Sequence, residues 1–426
     1  MFILLIIAVI IVSGGFGFIR SLDFLAINTP LGTFEIGQTL IIVLLLGLFI
    51  YDKKNKIRMD NKILFPFYFF ILIILFQFLH NIGEAQSMRV VIRNIKDGPF
   101  TFLIFFPLLY YINSNDKLKK YVQWLINIGI ISAFVALFQF VFKIQLDFST
   151  TLEFQPGVYR VYHPGALLVP LSIYIITSRL FDKNYRGIVI KDVASLLVLF
   201  GGMFSTLHRS LIISTFVLFL FVIVYNSISK KNIKVTFLLF LVSLGITFYF
   251  LSNTYMLDVL FIRVETAYSE MKYFEGNYYG RFFLFISMLT AVAKTSILFG
   301  VGFSYSNTYS SSLYVTNDNT YANLLVISGI IGLIIFLFIC LYLIYKSYRL
   351  SISVNDGFYR IVLFSIAIYT VQWIALGIFA DCVTYSPHII YIVSTWVIYI
   401  LIKYQLSKRR SYARTTAADI DSNAVV

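Results

Sequence analysis

The sequence predicts an all-α integral membrane protein of about twelve transmembrane helices, with both termini in the cytoplasm and one large outer loop carrying an amphipathic helix. Three observations lead there. The chain is 59% apolar and only 13% charged over 426 residues, more apolar surface than one soluble core of that length buries. Continuous apolar runs of about 17 to 25 residues, the length a helix needs to cross roughly 30 Å of hydrocarbon, recur along nearly all of it. Most of the 34 Lys and Arg residues fall in alternate connections, as basic loops do when they are retained in the cytoplasm.

In order, the expected spans are Phe2–Phe18, Phe34–Tyr51, Ile63–Leu79, the short Phe100–Ile112, Tyr121–Phe142, Pro164–Phe181, Val189–Phe204, Leu211–Tyr225, Val235–Ser252, Ala322–Tyr345, Ile361–Ala380 and Pro387–Ile402. Barrel strands would alternate apolar and polar residues over about ten positions, so unbroken apolar runs favour helices, whose backbone groups are paired within each span. The first run lacks a basic start and ends in Ser13-Gly14-Gly15 without a small-residue cleavage site, so it reads as a retained helix. With the N-terminus inside, the cytoplasmic connections hold Lys53 to Lys62, Lys117 to Lys120, Arg179 to Lys191, Lys230 to Lys234, Lys346 to Arg360 and Lys403 to Arg414.

The net charge of +14 is therefore a topology signal. Its basic residues sit in short loops and a tail, with no basic stripe between aromatics, which argues against nucleic acid as a partner. Cys340 and Cys382 are the two cysteines, too few for a disulfide framework or a cysteine-based metal site. A membrane domain thus takes residues 1–402, and the tail 403–426 is cytoplasmic, with Thr415–Val426 expected to be disordered.

The long insertion, residues 253–321, lies outside. A loop of that length in an otherwise tightly connected chain is usually functional or disordered. Its aromatic content argues against disorder, and Phe282–Phe299 reads as a partly amphipathic helix on the membrane surface. Were Phe282–Phe299 itself a span, every later basic loop would fall on the outer side, against the charge rule.

Chemistry is sought among the outer polar residues. Arg160, Arg209, Arg263 and Arg281 lie outside despite the charge rule, and Arg209 stands in the minimal turn Ser205-Thr206-Leu207-His208-Arg209-Ser210. A guanidinium offers a planar fork of donors that fits a phosphate two bonds at a time, while its bland alternative is snorkelling to headgroups. His163 and His208 are placed to bond a diphosphate or a sugar, or to serve as interfacial residues. The four histidines show no zinc-ligand spacing, so no metal is expected. Gly300 and Gly302, in Phe299-Gly300-Val301-Gly302, permit a turn or a close backbone approach. Asp318-Asn319 stands before a helix that contains Gly329-Ile330-Ile331-Gly332. There an N-cap and close helix packing are the structural alternatives to a reactive site.

These pieces resemble the O-antigen polymerase and O-antigen ligase superfamily of membrane glycosyltransferases, over roughly Arg160 to Leu343. The ligase pattern is His followed by Asn, Ser or Gln, nine residues, then Gly-x-x-Gly; Asp318-Asn319 and Gly329-x-x-Gly332 match that spacing, with Asp in place of His. The polar turn before Arg209, the Gly280-Arg281 opening of the loop helix and the Gly300/Gly302 turn are also similar to the family. The departure at Asp318 fits a Wzy-type polysaccharide polymerase better than a ligase.

The resemblance implies growth of a glycan on undecaprenyl diphosphate at the outer face of the bacterial inner membrane, without metal or cofactor. Arg160, Arg209, Arg281 and Arg263 would bind diphosphate or sugar with His163 and His208. Asp318 would orient or deprotonate the acceptor hydroxyl, with Asn319 and Arg209 completing the catalytic set. The implied partners are the lipid-linked oligosaccharide, membrane lipid, and a chain-length regulator and flippase. A ligase of the same superfamily remains open. A transporter of lipid-linked sugars would show broken helices or internal symmetry near mid-membrane and charges within spans; the sequence suggests neither.

Overall fold

The computed structural model describes residues 27–29, 32–34, 36–52, 61–84, 99–144, 150–155, 158–162, 164–182, 187–206, 208–230, 234–236, 238–241, 292–302, 319–378 and 386–423, with single positions or short groups between 245 and 290. The expected first span, most of the ninth and most of the loop 253–321 lie outside the described residues.

The other expected spans are all helical, over nearly their expected ranges. In chain order they are α1 (Ile36–Asp52), α2 (Asn61–Glu84), a 3-10 segment Pro99–Ile104 leading into α3 (Phe105–Tyr111), α4 (Asn115–Phe142), a 3-10 turn Pro164–Leu167 leading into α5 (Val169–Leu180), α6 (Val189–Ser205), α7 (Arg209–Lys230), α8 (Thr320–Ser353), α9 (Gly357–Leu376) and α10 (Ser386–Asn423). Among the described residues, five segments are long and apolar enough to cross a membrane: Asn115–Phe142, Ser210–Ser229, Thr320–Ser353, Gly357–Leu376 and His388–Lys408. The protein is thus a helical, membrane-embedded chain.

The burial pattern gives the same answer by a separate route. On α7, Ile213, Val217, Phe221, Val224 and Ile228 are exposed, and on α8 Ile334, Phe338, Leu341, Tyr345 and Ile352. Spacings of three and four place each set on one helix face. Apolar stripes of this length are rare on soluble monomers and normal where lipid is the solvent. Helices α5, α9 and the first half of α10 are buried almost all round and form the centre of the bundle.

Inside, polar side chains find partners across helices, as groups without water must. Tyr121 and Ser394 join α4 to α10 at 2.7 Å, and Tyr111 donates to the Leu44 carbonyl at 3.1 Å; nearer the surface, the part-exposed Arg360 pairs with the buried Asp182 at 3.4 Å.

Three features depart from the expectation. Two antiparallel hairpins occupy connections: β1 (Ile27–Thr29) with β2 (Gly32–Phe34), and β3 (Thr150–Gln155) with β4 (Val158–Tyr162). In the second, Leu152 stands opposite Arg160 and the register shifts between Glu153 and Gln155. Its Thr, Val and Tyr residues favour strands, and Pro156-Gly157 between the strands is a turn dipeptide. The polar tail, expected to be disordered, continues α10 as far as Asn423. Extending an existing helix adds one hydrogen bond per residue fixed, and Ala417-Ala418 are the best helix formers. Lastly, α8 is broken: Gly329 has φ 63° and ψ −165° within an otherwise continuous run. A broken helix is the feature that the hydropathy pattern did not suggest.

Candidate functional site

The last turns of α9 are where the candidate segments meet. Tyr369 donates to the Leu167 carbonyl at 2.6 Å, holding the 3-10 turn that follows Arg160 and His163. Gln372 donates from Nε2 to Thr215 at 2.7 Å and to Ser214 at 3.2 Å, in the second turn of α7 beyond Arg209. Its Oε1 accepts from the Tyr174 hydroxyl of α5 at 2.9 Å. The Thr320 amide donates to the Gly377 carbonyl at 2.8 Å, Tyr321 donates to the Ile374 carbonyl, and the Trp373 ring lies 5.9 Å from that of His388 at the start of α10. The beginnings of α5, α7, α8 and α10 therefore share one end of the bundle with the end of α9.

Asn319 is the N-cap of α8. Its Oδ1 accepts from the amides of Tyr321 and Ala322, both at 3.0 Å, which satisfies two donors that the first helical turn leaves open. Its Nδ2 donates to the Ile378 carbonyl at 3.2 Å. One carboxamide thus closes α8 and ties it to α9, a capping role that the residue type allowed from the start. Asp318, beside it, lies outside the described residues.

The turn between α6 and α7 is organised by its hydroxyls and by His208. Thr206 Oγ1 donates to the Met203 carbonyl at 2.7 Å and accepts from the His208 amide at 3.2 Å. His208 Nδ1 accepts the Leu211 amide at 3.3 Å and the Ser210 hydroxyl at 3.1 Å, so the imidazole caps α7. With Nδ1 accepting, the proton of the neutral ring is on Nε2. Arg209 is the first residue of α7 and Arg160 lies on β4, but both side chains lie outside what the structure describes. The same holds for the whole of His163, Arg263 and Arg281.

The two glycine pairs form one feature. Gly300 and Gly302 have φ of 76° and 78°, left-handed values that glycine adopts without strain. A Cβ on Gly329 would lie 2.2 Å from the Leu298 carbonyl oxygen, and one on Gly300 would lie 2.5 Å from that of Val326. The turn is thus seated backbone to backbone on the break in α8. Gly332 has a local role, since a Cβ there would meet the Ser328 hydroxyl at 1.8 Å.

Sequence reasoning passed over Gln372, Tyr174, Tyr321 and Gln77. A signal existed for the two glutamines, because an amide side chain inside an apolar span needs a partner and marks a packing or functional position. Among the described residues, no three His, Cys, Asp or Glu side chains cluster tightly enough to hold a metal ion. What the described groups offer is hydrogen bonding: an imidazole, a carboxamide and hydroxyls at one end of an apolar bundle, with Arg209 next in sequence to His208. No protein-family model matches the chain, and no curated protein matches it.

Proposed function

We propose that the chain polymerises undecaprenyl-diphosphate-linked oligosaccharide repeat units at the outer face of the bacterial cytoplasmic membrane, crossing it about twelve times with both termini inside. The observation that carries this reading is the meeting of the α7 start, which bears His208 and Arg209, and the α8 start, which bears Asn319 next to Asp318, on the last turns of α9. It supports a single locus at which an arginine-bound diphosphate and an acceptor hydroxyl are handled together.

In the proposed reaction the acceptor hydroxyl oxygen attacks the anomeric carbon of the growing glycan. The bond from that carbon to the diphosphate breaks, and the lipid diphosphate leaves with the electron pair. Charge develops on the leaving oxygen, where fixed donors act best. Arg160, Arg209 and Arg281 are assigned to it, with Arg263, His163 and His208 around the diphosphate and sugar. Asp318 accepts or orients the hydroxyl proton, and Asn319 holds the helix tip beside it. No metal or cofactor is required.

The test is the lipid-linked glycan profile of a strain lacking the protein, complemented with wild type or with Arg209→Ala. Single repeat units on the carrier, extended to a ladder by wild type alone, support polymerisation. Full-length polymer held on the carrier means ligase. A second reading, transport of lipid-linked sugars, is favoured by the break in α8, because discontinuous helices are common at transporter sites. Repeat units trapped on the cytoplasmic side in the deletion strain would establish it.

A further inference from the structure

We infer that residues Ile297–Gly302 form a strap docked into the break of α8, that Gln77 of α2 is the catch holding it, and that strap and first half of α8, Thr320–Ser328, move as one body. Breaking a helix in apolar surroundings strips amides and carbonyls of their partners, and such groups must be paired again by neighbouring protein. Here the strap pairs them: Ile330 N–H donates to the Ile297 carbonyl at 3.0 Å, Ile331 N–H to that of Leu298 at 3.3 Å, and Val301 N–H to that of Val326 at 2.7 Å. The break is satisfied only while the strap is in place.

Of the strap's side chains, Val301 packs on the small buried cluster of Met288, Val292, Ala322 and Val326 and the Phe299 ring lies 6.4 Å from that of Phe76, but most of the rest is open. Ile297, Leu298 and Phe299 are 50%, 56% and 47% exposed. Retention falls to the backbone bonds, to the close fit of Gly300 against Gly329, and to Gln77, whose Nε2 donates to the Phe299 carbonyl at 2.7 Å. Gln77 is 1% exposed, and its Oε1 is buried with no hydrogen-bond partner among the described residues. A carboxamide half satisfied in a dry site is held in place for what its other end does. The body it secures ends in Asn319 against α9, so release of the strap would shift the tip of α8 relative to the α7 start.

The inference is independent of the proposed reaction. Hydrogen exchange on the full chain in lipid nanodiscs tests it, comparing wild type with Gln77→Met, which keeps side-chain volume but removes the donor, and with Phe299→Leu, which keeps the carbonyl. In Gln77→Met, exchange should rise about tenfold at Ile330 and Ile331, whose amides join the moving body to the rest of α8, while Val301, bonded to Val326 within that body, keeps its wild-type rate. Peptides covering Leu333–Tyr345 should keep wild-type rates, and Phe299→Leu should match wild type. Unchanged exchange at Ile330 and Ile331 in Gln77→Met overturns the catch, and a rise at Val301 overturns the single moving body. A rise throughout α8 would show general loosening and overturn the inference as well.

Discussion

Gln372 shows how much a single buried amide organises. It takes a bond from Tyr174 and gives bonds to Thr215 and Ser214, so α5, α7 and α9 meet on one side chain. Gln372→Leu leaves three hydroxyls of the pairing set without that partner. Bonds between membrane helices are worth roughly 0.6 to 2 kcal/mol, because the unfolded chain also finds partners in lipid. The variant should therefore lose about 1 kcal/mol of stability and melt a few degrees lower in detergent. Asn319 makes a sharper case, since capping and any role beside Asp318 are separable. Asn319→Ala should remove about 1 kcal/mol with the cap, whereas Asn319→Asp retains an acceptor for the Tyr321 and Ala322 amides and should recover most of that stability. Glycan chain length measured in both variants then reports whether the Nδ2 bond to Ile378 matters for turnover. At this scale the sequence was half legible. An Asn before an apolar run is a cap signal, and a His-Arg pair in a minimal turn is conspicuous. The partners of Gln372 come from helices far apart in the chain, and spacing along one segment carries no trace of them.

Among the elements, α8 departs most from its hydropathy. Its apolar content runs unbroken through Gly329-Ile330-Ile331-Gly332, and that pattern reads as one continuous span. What breaks it is tertiary: a positive φ at Gly329 is tolerated because the strap's carbonyls and amide replace the lost helical bonds. Gly329→Ala would force a methyl to within 2.2 Å of the Leu298 carbonyl oxygen while holding an L-residue in a left-handed conformation. The strap must then leave, and backbone groups are exposed to hydrocarbon at several kcal/mol each. We expect Gly329→Ala to reduce the amount of folded protein recovered from membranes severalfold, and Gly332→Ala to do less, since Gly332 is not among the positive-φ glycines, although Ser328 Oγ at 1.8 Å and its Cβ at 2.3 Å both oppose a side chain there. Equal yields from the two variants would contradict the assignment of the break to Gly329. The extended α10 and the β3–β4 hairpin teach the related lesson that polar connections, where hydropathy is silent, are settled by local propensity and turn residues.

For the whole molecule, what was most legible was the choice of solvent. The apolar stripes of α7 and α8 face outward while α9 and the first half of α10 are buried, the arrangement expected of a bundle dissolved in lipid, and composition alone led to the same place. The direction of insertion rests on the basic loops. In the proposed topology the charge rule holds the connections Lys53 to Lys62 and Lys403 to Arg414 in the cytoplasm, which puts residues 253–321 on the other face. Cysteines placed singly at Asn55, Ser407 and Ser310, in a chain whose Cys340 and Cys382 are replaced by serine, read this directly. In intact spheroplasts an impermeant maleimide should label Ser310→Cys and spare Asn55→Cys and Ser407→Cys until the membrane is permeabilised. The first basic connection, the C-terminal tail and the loop are tested at once, so a labelled Asn55→Cys before permeabilisation would invert the molecule. Inversion would move Arg209 and the Asn319 end of α8 to the cytoplasmic face, where an acceptor at the outer surface cannot reach them. The proposed polymerisation would then fall together with the topology.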